Sequence, residues 1–231
     1  MKHGYVIACG IVLLMLGANA PAQTQPSDDT DLAPGFKLRT SGGIDVGAIY
    51  LEVVQFGTDW TETEEHDVFT PTAKPTTQPS SKILSGAFKT PGGEFTLTEQ
   101  VDAADQGVHF SADMSSDQGI DSKEVAVAVD LPVEIFGGKE ITVDGQAVKM
   151  PQDPAPKDQP QIFQNSGARQ IDLPTPDGTL TLTGNFDIWL QDDRQWGDQR
   201  YGLRLRFSPD SGQIKDSKID LQMKWKPAEN K

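Results

Sequence analysis

The chain has 231 residues, with 20 Lys plus Arg against 34 Asp plus Glu, a net charge of −14 at neutral pH, and a single cysteine. So acidic a surface repels DNA and anionic lipid and favours a soluble monomer, which argues against nucleic-acid binding. With one Cys the chain cannot form an internal disulfide or a cysteine metal cluster, so its stability has to come from a packed core.

Residues 1–22 read as a secretory signal peptide. Lys2 and His3 precede an apolar run from Tyr5 to Leu16, and Ala20-Pro21-Ala22 supplies the small residues of a cleavage site after Ala22. The run is far shorter than the roughly 20 residues that span a bilayer, so no transmembrane segment is expected. Val6-Ile7-Ala8-Cys9 fits a lipoprotein box, but it stands at the beginning of the apolar region, whereas such boxes follow it. Cleavage removes Lys2 and Cys9 and leaves 19 basic and 34 acidic residues, a net of −15. The mature protein is expected to be secreted or periplasmic, of bacterial type and free of cysteine.

Residues 23–34 read as a disordered leader. From residue 35 onward the dominant period is two, the mark of half-buried strands. It is weak in "GAIYLEVVQF", "KILSGAFKT", "GEFTLTEQV" and "GVHFSADM", and strong where Val125, Val127 and Val129 alternate with small residues. It continues through "KEITVDG", "ARQIDLP" and "GTLTLTG", then through Leu203, Leu205 and Phe207, and last through Ile219, Leu221, Met223 and Trp225. Pro91-Gly92-Gly93, Gly137-Gly138, Asp144-Gly145, Pro176-Asp177-Gly178 and the stretch 208–212 supply turn chemistry between these runs. No segment carries a capped helical stripe. The pattern predicts an all-β, antiparallel β-sandwich of ten or more strands in a single domain over 35–231, with Pro/Thr-rich loops at 70–81 and 151–161.

Catalytic motifs are absent: there is no G-x-S-x-G elbow, phosphate loop, dinucleotide fingerprint or H-E-x-x-H. His66 lies among Glu62, Glu64, Glu65 and Asp67, a set that can surround a divalent cation, although alternating Thr and Glu on a strand edge is expected to be a solvated face. His109 reads as an outward strand residue. Asp113, Asp117 and Asp121 lack the spacing of a calcium hand. No cofactor is assigned, and calcium on a sandwich loop has no motif to support it. Paired carboxylates suffice for glycoside hydrolysis, but among 34 acids the sequence nominates no pair.

The segment "DIWLQDDRQWGDQRYG" rises above this background. Trp189, Trp196 and Tyr201 interleave there with Asp192, Asp193, Arg194, Asp198 and Arg200. Aromatic faces stack on sugar rings while carboxylates and guanidinium groups bind hydroxyls, so Trp196, Tyr201, Asp192, Asp193, Arg194 and Arg200 form the candidate ligand site. At least one of the aromatics is expected to fill the core instead. Residues 194–231 carry nine basic and five acidic groups, a net of +4. Arg204 and Arg206 would share a basic patch with Lys218, Lys224 and Lys226 if the last two strands paired as a hairpin; pairing with the protein's own acidic strands is the commoner use.

The stretches "VDLPVEIFGGKEITVDG" and "IDLPTPDGTLTLTGNFDIWLQDDRQWGDQRYGLRLRFSPDSG" resemble the β-sandwich that precedes the catalytic barrel in some secreted bacterial glycoside hydrolases. The resemblance implies an accessory sandwich without catalytic residues, in a chain that stops short of a barrel. The expected function is therefore an exported non-catalytic module binding a polysaccharide or an envelope protein. One alternative is a carbohydrate-active enzyme, hydrolase or lyase-like, with dispersed acids; another is a structural or adhesive envelope protein.

Overall fold

The computed structural model describes residues 29–71, 76–78, 81–105, 107–207 and 212–229. Residues 1–22, expected to be a signal peptide, with Cys9, and residues 208–211, expected to turn, lie outside these residues, as do parts of the expected leader and of the loop at 70–81.

Seventeen strands account for most of the described chain: β1 (Thr30–Ala33), β2 (Phe36–Leu38), β3 (Ile44–Val46), β4 (Ile49–Phe56), β5 (Glu62–Glu64), β6 (Phe69–Pro71), β7 (Thr76–Gln78), β8 (Ser81–Thr90), β9 (Gly93–Ala104), β10 (Gly107–Ser122), β11 (Glu124–Pro132), β12 (Glu140–Val143), β13 (Gln146–Lys149), β14 (Gln161–Thr175), β15 (Gly178–Asp192), β16 (Arg200–Arg206) and β17 (Gly212–Pro227). Two four-residue helices, α1 (Glu65–Val68) and α2 (Val133–Phe136), and a 3-10 turn at Asp193–Trp196 complete it. Every pairing is antiparallel, as the alternating pattern predicts.

The layers follow from the pairings. β15 is long enough to serve both: its first half, Gly178–Thr183, pairs with β17, and its second half, Asp187–Asp192, pairs with β16. One layer runs β2–β3–β4–β11–β16–β15, and the other runs β15–β17–β10–β9–β8. Between them lies one core, to which the first layer contributes Val53, Val127, Val129, Leu203, Leu205, Ile188 and Leu190, and the second Leu97, Phe110, Leu180, Leu182, Leu221 and Met223. Each fully buried Val or Leu adds roughly 1.5–3 kcal/mol of transfer free energy. The Asp144-Gly145 pair turns β12 into β13 with both residues at positive φ, +46° and +81°, the geometry such a two-residue hairpin requires.

Three expectations are corrected by the fold. The leader is not disordered to its end, because Thr30–Ala33 pairs with β2 and places Leu32 and Ala33 against the core. The acidic run around His66 does not continue as a strand edge: β5 stops at Glu64, α1 follows, and Glu65 is fully buried with its carboxylate on the Val53 amide. β16 and β17 do not form a hairpin with each other, so no shared basic patch exists. β16 lies between β11 and β15, where Glu124 of β11 takes both Arg204 (2.9 Å) and Arg206 (2.7 Å). Lys218 on β17 instead faces Asp113 of β10 at 3.5 Å. His109 is half exposed on β10 and meets Asp220 at 3.0 Å.

Candidate functional site

The site is the outer face of the first layer, and strand alternation builds it. Since the odd residues of β11 and β16 enter the core, Glu124, Ala126, Ala128 and Asp130 face outward, and so do Arg200, Gly202, Arg204 and Arg206. β15 presents Trp189 and Gln191 on the same side, and Asp193 follows them in phase. From the other flank β4 and β5 contribute Phe56, Glu62 and Glu64, with Phe56 opposite Glu62. The result is a cleft of about 420 Å³ walled by Phe56, Trp60, Trp189 and Trp196 and carrying Glu62, Asp193, Arg200 and Arg204.

Local geometry puts the two exposed tryptophans at its rim. Asp192 caps the 3-10 turn by accepting the Arg194 amide, and Gly197 ends it at φ +105°, leaving Trp196 projecting at 61 % exposure. Trp60 sits in the β4–β5 loop, donating its amide to the Gly57 carbonyl at 3.0 Å, and is held at φ +68°. That conformation costs a bulky residue of order 1–3 kcal/mol and gathers at binding sites when the surroundings impose it. Here it leaves the indole 55 % exposed, 6.2 Å from the Phe56 ring.

Beneath the rim a hydrogen-bonded ladder runs along β15. Trp189 Nε1 donates to Gln191 Oε1 at 2.9 Å, and Gln191 Nε2 donates to Asp193 Oδ1 at 2.8 Å. Arg204 also donates to Gln191 Oε1, at 3.2 Å, and its guanidinium lies 4.5 Å from the Phe56 ring centre and 5.5 Å from that of Trp189. Arg200 spans the floor, donating to Asp130 at 2.7 Å and to Glu64 at 3.0 Å, with Asp193 3.8 Å away. Burial works against the charge on Arg200, but these carboxylates outweigh it and raise its pKa.

Two carboxyls in the cleft are perturbed. Asp193, only 7 % exposed, is pushed up to about 6 by desolvation, against the pull of Gln191, Arg200 and Arg204. Glu62 is exposed at the rim, where desolvation by the cleft wall and then Glu64 push its pKa up against the pull of Arg200. Displaced carboxyls of this kind, lining one cleft, have the properties of proton donors and acceptors.

The structure divides the candidate ligand residues. Trp196, Asp193 and Arg200 reach the cleft. Tyr201 is fully buried under Arg194, with its hydroxyl donating to the Pro151 carbonyl, so it stacks on nothing from solvent. Asp192 and Arg194 form a buried clamp: the Asp192 carboxylate takes Arg194 at 2.7 and 2.8 Å and the Ala155 amide at 2.8 Å, while Arg194 donates to the carbonyls of Pro151, Gln152 and Asp153. The pair therefore fastens the irregular segment 151–160 to the edge of the site. Phe56, Trp60, Glu62, Gln191 and Arg204 belong to the cleft but were outside the candidate set. Arg204 carried a visible signal in its outward phase, whereas Trp60 and Glu62 lie too far along the chain for spacing to connect them.

No family model and no curated protein sequence matches the chain. Among solved structures it is similar to a putative aldose 1-epimerase from Escherichia coli K12, with 9 % identity, 88 % of this chain and 100 % of that one covered, and a TM-score of 0.47. It is also similar to a galactose mutarotase-like protein from Lactobacillus casei ATCC 334 (12 % identity, 83 % and 93 % covered, TM-score 0.46). A third is a galactose mutarotase related enzyme from Lactobacillus acidophilus (9 % identity, 86 % and 97 % covered, TM-score 0.45). The neighbours share with the glycoside hydrolase resemblance only its coarser part, a β domain in sugar-directed proteins, and none is described as a glycoside hydrolase accessory domain. The expectation of a non-catalytic module is set aside, because its alternative agrees better with descriptions that name sugar epimerase and mutarotase proteins; the likeness itself, at 9–12 % identity, is one of fold.

Proposed function

We propose that the protein is a carbohydrate-active enzyme that carries out acid–base chemistry on a sugar held in the cleft of the first layer. The observation that carries this reading is Asp193: a nearly buried carboxyl with a pKa near 6, aimed into a space walled by exposed indoles. Trp196 and Trp60 supply apolar faces for a pyranose ring. Asp193 and Glu62 form the carboxyl pair that exchanges protons with the sugar oxygens, and Arg200 holds the negative charge that develops on them. The three similar structures, described as sugar epimerase and mutarotase proteins, agree in substrate chemistry with this assignment.

The test uses purified protein on two substrate sets: reducing-sugar release from a panel of polysaccharides, and anomer exchange of free aldoses followed by polarimetry. Activity in either set is expected, with a loss of 100-fold or more in kcat for Asp193→Asn, about the contribution of one general acid or base. Trp196→Ala should chiefly raise KM. Equal activity in wild type and Asp193→Asn would remove the assignment.

A further inference from the structure

We propose that Glu64, His66 and Asp67 form a divalent-metal site at the open end of the groove, with Glu52 as the buried carboxylate that orients the histidine. The groove continues past Arg200 into a second, more polar space lined by Glu64, His66, Asp67 and Lys89, of which the reading above uses only Glu64, as a partner of Arg200.

The imidazole is held from behind. Glu52, 4 % exposed, accepts His66 Nδ1 at 2.9 and 3.0 Å, and it also accepts the His66 amide at 3.0 Å and the Tyr50 hydroxyl at 3.3 Å. Tyr50 packs edge-on against the ring, with centroids 6.3 Å apart. A carboxylate on Nδ1 keeps the proton there and leaves the Nε2 lone pair facing outward, the arrangement that precedes metal binding by histidine in carboxylate–histidine–metal triads.

Nε2 then faces two carboxylates, Glu64 Oε2 at 3.7 Å and Asp67 Oδ1 at 3.5 Å. Both separations exceed hydrogen-bond length. They suit two donors each about 2.1 Å from one ion, which stand roughly 3.0–3.6 Å apart at bond angles of 90–120°. Arg200 occupies Glu64 Oε1 and so commits Oε2 to the histidine side. Glu52, Glu64 and His66 bring ligating atoms within 4.8 Å of one another, and Asp67 adds a further oxygen on the Nε2 side of the ring. Two carboxylate oxygens stand within 3.7 Å of the Nε2 electron pair, and a cation bound beside it offsets their charge. One imidazole with two carboxylates favours Mn²⁺, Zn²⁺ or Co²⁺ over Ca²⁺ or Mg²⁺. Asp67 is largely exposed, so the remaining coordination positions open to the groove.

Calorimetric titration of the purified protein with MnCl2, ZnCl2 and MgCl2 tests the site without reference to activity. Expected is one equivalent of Mn²⁺ or Zn²⁺, bound at least tenfold more tightly than Mg²⁺. His66→Gln and Asp67→Asn should each weaken that binding tenfold or more, and Glu52→Gln by about 10- to 100-fold. The other described histidine supplies the control, and His109→Gln should leave affinity unchanged. Asp67 lies at the surface, so its variant remains informative should the His66 or Glu52 variants fold poorly. Absence of saturable binding would overturn the site and leave a histidine ion-paired with its acidic neighbours. Full affinity in Asp67→Asn, or loss of affinity in His109→Gln, would overturn it as well.

Discussion

Gly202 leaves the space that Asp193 occupies: a β-carbon built on Gly202 would overlap Asp193 Oδ2. Gly202 stands in the middle of β16, opposite Asp130 on one side and Gln191 on the other, where its backbone is ordinary strand and its lack of a side chain has a spatial reason. Gly202→Ala should therefore fold while pushing the Asp193 carboxylate out of the cleft. The expected outcome is a near-native circular dichroism spectrum with most of the sugar-directed activity lost. Unchanged kcat in a folded variant would show that Asp193 needs no such space.

Asp193 also links the site to stability. Its folded-state pKa of about 6 stands above the ordinary aspartate value, so the folded form binds the proton more tightly than the unfolded chain. The stabilisation from this proton is full below about pH 4 and is lost as pH rises through about 6. Asp193→Asn removes the ionisation but keeps an acceptor for Gln191. Its melting temperature should gain on wild type between pH 4 and pH 6.5, and parallel pH profiles would contradict the shift.

Much of this architecture is legible in the sequence, because side-chain alternation survives tertiary packing. The phase of Leu203 and Leu205 fixes the outward direction of Arg204 and Arg206. The same phase, extended two residues back, sends Tyr201 inward, and Ile188 and Leu190 do likewise for Asp192. That signal was available against both as ligand contacts. What alternation cannot supply is the neighbour across the ladder. Arg204 lies between Ala128 and Trp189, and β17, next in the chain, pairs elsewhere. The cleft joins Trp60 and Glu62 to Trp196 through the β4–β11–β16–β15 order, a long-range pairing that no local pattern encodes.

Glu124 ion-pairs with two guanidinium groups on the outer face, 2.9 Å from Arg204 and 2.7 Å from Arg206, and is 2 % exposed. Removing one partner from a buried ionic cluster leaves uncompensated charge and typically costs about 3–5 kcal/mol. Glu124→Gln should show that loss in urea unfolding. A change below about 1 kcal/mol would mean that solvent reaches these arginines.

Between α1 and β9 a second carboxyl is out of place. Glu99 is fully buried beside the Glu65 carboxyl, and desolvation pushes it up to about 7. A carboxyl raised in the folded state contributes stability at low pH that disappears as pH rises through the folded value, here about 7. Wild-type melting temperature is expected to fall between pH 6 and pH 8.5, and Glu99→Gln should flatten that limb. An equal decline in both proteins would place the alkaline sensitivity elsewhere.

Sugar chemistry at Asp193 is tested most directly by turnover in the purified protein, measured as reducing-sugar release and aldose anomer exchange, beside Asp193→Asn at matched folded concentration. Catalysis in wild type that falls 100-fold or more in the variant is the expected result. No turnover across both substrate sets, or turnover that the variant retains in full, would contradict it.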